Sequence, residues 1–426
     1  MPHYNKLDKA ELKELFAGLN AQYKEFQAKN LKLDMSRGKP EKGQLDISEK
    51  LMETLNIDDF SAENGEDCRN YGSLDGIPEA KRFMADIMEV APENVFVGGN
   101  SSLNLMYNCV NFAFVHGMPE SERPWCKEEK IKFLCPSPGY DRHFAITEQF
   151  GFELVTIPMT AEGPDMDAVE EAVKDPSVKG IWCVPKYSNP QGITYSDDTV
   201  RRFAALAPAA KDFRIFWDNA YAVHALDVDN LDPLLNVMAE AEKLGNEDIL
   251  FIFSSTSKIT FPGSGISATG MSSKNLKWFF GHTFFQTVCH DKVNQLRHAH
   301  MLPDFSCVLE HMKKHADILR PKFDIVLNAL TPLGEEGIAE WTVPKGGYFV
   351  SVDVPAGCAK RTVQLCKEAG VVLTSAGATY PYGKEPEDKN VRIAPTFPPI
   401  SELKQAMELF CLCVRLASVE KLLGKA

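Results

Sequence analysis

The sequence predicts an α/β fold, in which helices flank a mostly parallel seven-stranded sheet in a large domain, with a smaller α+β domain beside it. Between about Pro78 and Ser273, short apolar runs alternate with longer amphipathic stretches. This pattern is typical of strands and helices that form a covered parallel sheet. A chain of 426 residues is also long enough to bury a large core and to form more than one domain.

The apolar runs are the predicted strands, because short continuous runs are typical of strands buried on both faces. They cover residues 95–97, 131–134, 154–157, 181–184, 213–217 and 249–253, and the segment 267–271 is predicted to be a further short strand. Polar, turn-rich segments follow five of these runs, beginning at Gly98, Pro136, Pro185, Asp218 and Ser254. Ligands of parallel sheets bind at the carboxyl ends of the strands, so we expect a site there.

After Pro303 the pattern changes, which indicates the second domain. Helical stretches at 307–330 and 401–423 flank short alternating runs at 348–352 and 391–394. The segment near Leu33–Met35 is expected to join this part. We therefore expect a large domain over residues 51–302 and a small domain formed by residues 1–50 and 303–426.

Composition excludes several classes of protein. The net charge is −13, which argues against a nucleic-acid partner. Eleven cysteines without a C-x-x-C pair indicate reduced thiols. The first 31 residues lack a signal-peptide core, and no run of 18 apolar residues occurs. We expect a soluble cytoplasmic protein with no membrane partner and no bound metal.

Two reactive side chains follow neighbouring apolar runs. Lys258 lies in Ser254-Ser255-Thr256-Ser257-Lys258. Asp218 directly follows the run 213–217, and Tyr221 lies three residues after Asp218. A partly desolvated lysine amine attacks carbonyls, and an acid keeps a pyridine nitrogen protonated. Alone, each has an ordinary explanation, a solvated lysine and a turn or capping aspartate. Together they favour a phosphorylated pyridine aldehyde, pyridoxal phosphate.

Further candidates surround this pair. Ser101 and Ser102 follow Gly98-Gly99-Asn100 at a predicted helix start, where free N–H groups bind phosphate, although they could simply cap the helix. Asn189 and Tyr221 could bond a ring oxygen, and Tyr140 could stack on the ring or belong to the core.

Arg392 lies on the alternating run 391–394. Its planar guanidinium matches a carboxylate, and an exposed strand charge is the alternative.

Two other motifs fit poorly. Gly263-x-Gly265-x-x-Ala268 resembles a dinucleotide fingerprint, but a short strand rather than a helix is expected after it. Ser255-x-x-Lys258 resembles the serine nucleophile motif of penicillin-binding enzymes, but the Ser-Asp-Asn and Lys-Thr-Gly partners are missing.

Taken together, these residues resemble the class I aminotransferases, which have the aspartate aminotransferase fold (fold type I) and use pyridoxal phosphate. The resemblance is closest to a bacterial subgroup of aspartate aminotransferases. It rests on motifs in one order along most of the chain: Asn70-Tyr71-Gly72 with Gly76-Ile77-Pro78, then Gly99 to Ser102, Pro138-Gly139-Tyr140, Asn189-Pro190-Gln191-Gly192, Asp218 to Tyr221, Ser255 to Lys258, and Arg392. Two segments, Ser36-Arg37-Gly38-Lys39-Pro40 and Pro136 to His143, point to the subgroup.

The resemblance implies a role for each matching residue. Lys258 would hold the cofactor covalently and then move the substrate proton, Asp218 would pair with the pyridine nitrogen, and Tyr221 and Asn189 would hold the ring oxygen. The phosphate would be surrounded by Asn100, Ser101, Ser102, Ser255 and Ser257, and by Tyr71 of a second subunit, which implies a homodimer. Tyr140 would stack on the ring, Arg392 would bind the substrate α-carboxylate, and Gly38 would lie beside the substrate.

One departure from the family concerns the phosphate. Relatives usually carry an arginine about eight residues after the lysine, where this chain has Ile266. Ser264 or Lys274 could compensate, or backbone and hydroxyl groups could suffice. The arginine that selects acidic side chains is also open, with Arg37, Arg142 and Arg297 as candidates.

The expected activity is ping-pong transamination, with aspartate and 2-oxoglutarate as the pair. The first alternative is an aminotransferase for aromatic or other neutral amino acids, or a pyridoxal-phosphate lyase on the same scaffold. The second is a non-catalytic regulatory protein that keeps the fold. It would normally add a DNA-binding or partner domain, for which we expect no room here.

Overall fold

The computed structural model describes residues 3–55 and 59–424. Within these residues the α-helices are α1 (Lys9–Ala28), α2 (Lys42–Asp46), α3 (Pro78–Met88), α4 (Ser102–His116), α5 (Asp141–Gln149), α6 (Met166–Ala172), α7 (Asp197–Ala204), α8 (Val237–Leu244), α9 (Ser273–Thr283), α10 (Lys292–Met301), α11 (Phe305–Glu335), α12 (Ala359–Glu368) and α13 (Ile400–Leu422). The strands are β1 (Leu33–Met35), β2 (Val95–Val97), β3 (Lys132–Ser137), β4 (Glu153–Thr160), β5 (Gly163–Pro164), β6 (Val178–Cys183), β7 (Arg214–Asp218), β8 (Leu250–Ser255), β9 (Ser267–Met271), β10 (Glu340–Trp341), β11 (Val350–Asp353), β12 (Val371–Leu373) and β13 (Asn390–Ile393).

The main sheet has the order β2-β9-β8-β7-β6-β3-β4-β5. All seven predicted strands are present in it, and the two-residue β5 adds an eighth at one edge. The strands β8, β7, β6, β3 and β4 are parallel to one another, whereas β9 is antiparallel to β8 and β2. The predicted α/β fold with a mostly parallel sheet is thereby confirmed.

Alternate residues of the central strands face different cores, which explains why these strands are continuously apolar. Ile215 and Trp217 of β7 belong to one buried cluster, while Phe216 between them belongs to another. Helices on both faces complete these clusters. The main sheet is therefore covered on each side, and its open positions lie at the strand ends.

The rest of the chain forms two smaller sheets with a core of their own. β1 pairs in parallel with β12, and β11 lies between β10 and β13 in an antiparallel sheet. A third buried cluster unites residues of α1 with residues of α11, α12 and α13. The N-terminal segment thus packs with the C-terminal part, but the predicted boundaries at residues 50 and 303 stay a prediction.

Some predicted bounds differ from the structure for identifiable reasons. β6 begins at Val178, three residues before the predicted run, because Lys179 interrupts the apolar pattern. Lys179 is nevertheless buried, with its Nζ 2.7 Å from Asp212 Oδ1.

β9 follows the Gly263-x-Gly265 motif directly, so the structure supports the rejection of a dinucleotide fingerprint. Among the described helices, none combines the length and apolar character that crossing a bilayer requires.

Candidate active site

Four neighbouring strands of the main sheet bring the predicted residues together. Lys258 follows β8, Asp218 ends β7, Asn189 follows β6, and Tyr140 follows β3. These strands are adjacent in that order, so their carboxyl ends form one edge. Together with Arg392 of β13, the four side chains line a single cavity of ≈ 730 Å³.

Most of the predicted site residues border this cavity. They are Gly38, Ser101, Ser102, Tyr140, Asn189, Asp218, Tyr221, Ser255, Ser257, Lys258 and Arg392. Asn100 does not, because its side-chain amide donates instead to the carbonyl of Pro262 at 3.2 Å. Tyr71 is also outside, with 74% of its surface exposed. The predicted roles of these two residues remain predictions.

Lys258 has the environment that makes an amine nucleophilic. Its Nζ lies 4.9 Å from the centre of the Tyr221 ring. Burial lowers the pKa of Lys258, and the nearby Asp218 carboxylate opposes this shift. Because desolvation is the larger effect, a greater fraction of the amine is neutral at a given pH than in an exposed lysine.

Asp218 offers one unused oxygen to the cavity. It is 3% exposed, and its Oδ2 accepts a hydrogen bond from Nε2 of His143 at 2.9 Å. Its Oδ1 is buried and has no hydrogen-bond partner among the described residues. A buried carboxylate oxygen without a donor is costly, and a protonated ring nitrogen would supply that donor. The residue therefore fits a pyridine cofactor.

His143 is a functional candidate that the sequence analysis missed. Besides bonding Asp218, its ring stacks on Trp182 with a centroid distance of 4.7 Å and an angle of 14°. This stacking holds the imidazole so that it faces the carboxylate. The available signal was its spacing, since His143 lies about one helical turn after Tyr140.

The phenols of Tyr221 and Tyr140, which lie near the expected position of the pyridine ring, are held in the protonated form. Burial is the largest cause that raises the pKa of Tyr221, and neighbouring Tyr140 and Asp218 raise it further. Burial also raises the pKa of Tyr140 to about 12. Both side chains are therefore hydrogen-bond donors at neutral pH.

Hydroxyl and backbone groups form a cradle suited to a phosphate. Ser101 and Ser102 begin the 15-residue helix α4, and the Ser101 side chain makes no capping hydrogen bond. Opposite them, the Ser255 hydroxyl donates to Ser257 Oγ at 3.1 Å. A helix N-terminus with free hydroxyls binds phosphate well.

Neither Ile266 nor Lys274 contributes a charge to this cradle. Ile266 is 2% exposed, and its backbone N–H donates to Thr256 Oγ1 at 2.9 Å. Lys274 pairs instead with Glu120 and Asp248. Neither residue borders the cavity. The suggestion that Lys274 compensates for the missing arginine is therefore not supported.

Arg392 is fixed in the cavity wall rather than on an exposed strand. It is 6% exposed, and its Nη1 donates to Asp141 Oδ1 at 2.9 Å and to Asn189 Oδ1 at 3.2 Å. Its Nη2 donates to Thr374 Oγ1 at 3.3 Å, and its guanidinium lies 4.9 Å from the centre of the Phe349 ring. Asp141, Thr374 and Phe349 were not predicted from the sequence as site residues.

The predicted position of Gly38 has a steric reason. A Cβ atom on Gly38 would lie 2.6 Å from Cζ of Phe349, the ring beneath Arg392. Glycine therefore allows the loop after β1 to approach Phe349 and Arg392 closely.

Two further arginines border the cavity without partners. Arg37 and Arg142 line it, and the guanidinium of neither has a hydrogen-bond or ion-pair partner among the described residues. Arg297, the third candidate, is not part of the lining. The structure thus favours Arg37 and Arg142 as cations available to a ligand within one chain.

Comparison with known proteins agrees with this geometry. The sequence model of the family described as aspartate amino-transferase matches residues 7–426. The aspartate aminotransferase of Corynebacterium glutamicum is 48% identical over 94% of this chain and 93% of its own. The crystal structure of an aspartate transaminase from the same species superposes with a TM-score of 0.95 at 46% identity, covering 97% of this chain and 98% of that one.

A more distant solved structure shows the same fold. The α-aminoadipate aminotransferase of Thermus thermophilus, in complex with N-(5'-phosphopyridoxyl)-L-leucine, has a TM-score of 0.70 at 20% identity over 96% of this chain and 97% of its own. The resemblance inferred from the motifs is confirmed. The chain belongs to the aspartate aminotransferase family and is an aminotransferase that uses pyridoxal 5'-phosphate.

Proposed function

We propose that this aminotransferase exchanges the amino group of L-aspartate with 2-oxoglutarate. The observation that carries the proposal is that two kinds of cation line the same cavity. Arg392 is buried and held by neighbours, whereas Arg37 and Arg142 have no partner among the described residues. A substrate with two carboxylates satisfies both. The name of the Corynebacterium glutamicum relative, an aspartate aminotransferase, supports the same substrate.

Each site residue then has a defined task in holding the cofactor. Asp218 Oδ1 would accept the ring N–H, and His143 keeps that carboxylate in place. The Tyr221 hydroxyl and the Asn189 amide would donate to the ring oxygen, and Tyr140 would stack on the ring. Ser101, Ser102, Ser255 and Ser257 would bind the phosphate, together with Asn100 if its amide leaves the Pro262 carbonyl. When bound, pyridoxal phosphate supplies an electron-accepting ring that stabilises negative charge at the substrate Cα.

Substrate orientation and proton transfer fall to three groups of residues. Arg392 binds the α-carboxylate, and Gly38 leaves room for the substrate beside Phe349. Arg37 and Arg142 bind the distal carboxylate. The Lys258 amine, whose pKa is lowered by burial, would take the proton from the substrate Cα. The 2-oxo acid leaves before the second substrate enters, which gives ping-pong kinetics.

A half-reaction screen tests this specificity. The absorbance of the bound cofactor is followed after each amino acid is added without a partner substrate. We expect aspartate and glutamate to react with a kcat/KM at least about 10-fold above those of phenylalanine and alanine, since one charge-assisted hydrogen bond contributes about 1.5–3 kcal/mol. Higher rates with aromatic amino acids contradict the proposal and favour the neutral-substrate alternative, and release of a product other than the matching 2-oxo acid favours a lyase.

Variants separate the two carboxylate sites in the same assay. Arg37→Leu combined with Arg142→Leu should slow aspartate and glutamate but leave alanine unchanged. Arg201→Leu is the matched control, since Arg201 pairs with Asp197 and does not border the cavity. If the double variant keeps its preference for acidic substrates, an arginine from elsewhere, such as Arg297, binds the distal carboxylate.

We propose further that two chains share each active site in a homodimer. Tyr71 is 74% exposed and lies outside its own cavity, which leaves it available to a second chain. Phe284, Phe285 and Val288 are also exposed apolar residues that a partner would cover. Tyr71 then reaches the phosphate of the partner's site.

Hybrid dimers test the shared site. Co-expressed Tyr71→Ala and Lys258→Ala chains should form hybrids in which one site carries both changes and the other carries none. We expect activity in the hybrid fraction well above that of either variant alone. Hybrids no more active than the two parents would show that Tyr71 serves its own chain.

The domain division and the location of the protein are also proposals. The large domain covers residues 51–302, and the small domain combines residues 1–50 with 303–426. The buried cluster that joins α1 to α11, α12 and α13 supports this division, and it extends to Val184, Tyr187 and Tyr221 at the edge of the large domain. All eleven cysteines lie in described residues and are free thiols, which supports a cytoplasmic enzyme. Limited proteolysis near residues 50 and 303 and cell fractionation test the two proposals.

A further inference from the structure

Lys258 is presented by a tight turn immediately after β8. The backbone N–H groups of Ile259 and Thr260 donate to the carbonyl of Thr256 at 2.9 and 2.8 Å. The side chain of Lys258 faces the cavity, while Thr256, Ile259 and Thr260 are buried behind it. The position of the amine therefore depends on what holds these three residues.

His298 of α10 holds the turn from one side. Its Nδ1 lies 2.8 Å from the carbonyl oxygen of Asn294, which can only accept, so Nδ1 carries the proton. Its Nε2 then accepts from the hydroxyls of Thr260 at 2.9 Å and Thr256 at 3.2 Å. Burial lowers the pKa of His298 to about 4, which keeps this nitrogen an acceptor at neutral pH.

His311 of α11 holds the turn from the other side. Its Nε2 lies 2.8 Å from the carbonyl oxygen of Ile259, so here Nε2 is the donor. Ser48 supports the same carbonyl with a hydroxyl at 3.3 Å, and His315 lies behind with its Nε2 3.2 Å from that of His311. All of these side chains are buried.

Neither histidine borders the cavity, so both act through the turn. The same framework includes Ile266, the position where relatives usually carry the phosphate-binding arginine. The backbone carbonyl of Ile266 accepts a hydrogen bond from the backbone N–H of Thr256 at 2.8 Å. The backbone N–H of Ile266 donates to the Thr256 hydroxyl oxygen, Oγ1, at 2.9 Å. A buried hydrogen-bonded framework thus lies behind the lysine.

We propose that His298 and His311 are positioning residues that fix the Lys258 amine by holding its turn through hydrogen bonds from two helices. This inference rests on the proposed role of Lys258 as the residue that binds the cofactor. Loss of either bond lets the turn shift, and small misplacements of a reacting group cost rate far more than they cost binding.

Matched variants of the holoenzyme test the proposal. His298→Leu and His311→Leu remove the ring nitrogens, whereas His298→Gln and His311→Gln supply an amide near the position of Nε2. His282→Leu is the control, because His282 stacks on His116 and does not touch the turn. The measurements are the pH midpoint of the absorbance of the Lys258-bound cofactor, kcat and KM for aspartate, and the melting temperature.

We expect the leucine variants to shift the absorbance midpoint and to lower kcat about 10- to 100-fold, with KM changed by less than about threefold. The glutamine variants should recover most of the wild-type absorbance midpoint and most of the wild-type kcat. The control should match the wild type. Leucine variants that fold and behave as wild type overturn the proposal. Equal losses in the leucine and glutamine variants also overturn it, since they indicate packing rather than hydrogen bonding.

Two milder changes keep the test decisive if the leucine variants do not fold. Thr260→Val removes the hydroxyl that bonds His298 at nearly constant volume, and Ser48→Ala removes the hydroxyl beside His311. A shifted midpoint in both supports the proposal, and unchanged midpoints in both overturn it. Borohydride reduction of the wild-type enzyme distinguishes failure of the proposed function from failure of the positioning role. Without an adduct at Lys258 the proposed function fails, whereas an adduct with unaffected variants refutes the positioning role alone.

Discussion

The two sides of the cavity are built in different ways. The cofactor side consists of Lys258, Asp218, Asn189 and Tyr140, which follow or end four adjacent strands of the main sheet. The substrate side consists of the loop at residues 36–39, Phe349, Thr374 and Arg392, which belong to the smaller sheets and their loops. The first side is arranged by strand pairing, and the second by contacts between distant segments.

This difference determines which side tolerates change. Parallel strands are spaced about 4.8 Å apart, so the ends of β8, β7, β6 and β3 place their side chains at fixed intervals. Arg392 depends instead on Asp141 and Asn189, which lie 251 and 203 residues away in the chain. Changes on the cofactor side should therefore abolish chemistry, and changes on the substrate side should weaken binding.

Replacing the lysine should have the largest effect. Lys258→Ala removes the amine that we propose holds the cofactor and moves the proton, so we expect turnover to fall by about 10⁴-fold or more. The pH-dependent visible absorbance should also disappear, and borohydride should leave no reduced adduct at this position. A variant that keeps a normal band and titration would contradict the role of Lys258.

Asp218→Ala should have the next largest effect on the cofactor side. Without the carboxylate the ring nitrogen has no buried anion beside it, and we expect kcat to fall about 10²- to 10³-fold. His143→Gln serves as a milder comparison, because it leaves the carboxylate and removes only the group that orients it. Near-wild-type rates in a folded Asp218→Ala variant would count against the requirement for a charged ring.

The same contrast explains how much the sequence could predict. All seven predicted strands were recognised, and β2 and β9 have the predicted bounds. The parallel strands could be found because buried parallel strands are short continuous apolar runs. The strand-end residues followed from one rule about parallel sheets. His143 and Asp141 were missed because their partners, Asp218 and Arg392, are 75 and 251 residues away, and no local pattern connects them.

Arg392→Leu should reveal the substrate side as a binding surface. We expect KM to rise about 10- to 100-fold for every amino acid, because charge-assisted hydrogen bonds contribute about 1.5–3 kcal/mol each. The absorbance of the bound cofactor should stay unchanged, in contrast to the variants of Lys258 and Asp218. An effect limited to acidic substrates would mean that Arg392 binds the distal carboxylate and that the two sites are exchanged.

The smallest effect in this series is expected from Gly38→Ala. Its Cβ would lie 2.6 Å from Cζ of Phe349, so the ring must move, and Arg392 lies against that ring. Overpacking of this kind costs about 1–3 kcal/mol, part of which the exposed loop absorbs by shifting. We expect KM to rise less than about 10-fold for all substrates, with kcat and the cofactor absorbance unchanged.

A second substitution shows whether the effect passes through the ring. Combining Gly38→Ala with Phe349→Leu provides space for the new methyl group and should recover part of the lost affinity, although Phe349→Leu alone should weaken binding by removing the surface beneath Arg392. If the two changes are additive, the loop and the ring act independently. The substrate side would then be a set of separate contacts. Recovery of affinity in the double variant would instead mean that Gly38, Phe349 and Arg392 form one packed unit that positions the guanidinium for the substrate carboxylate.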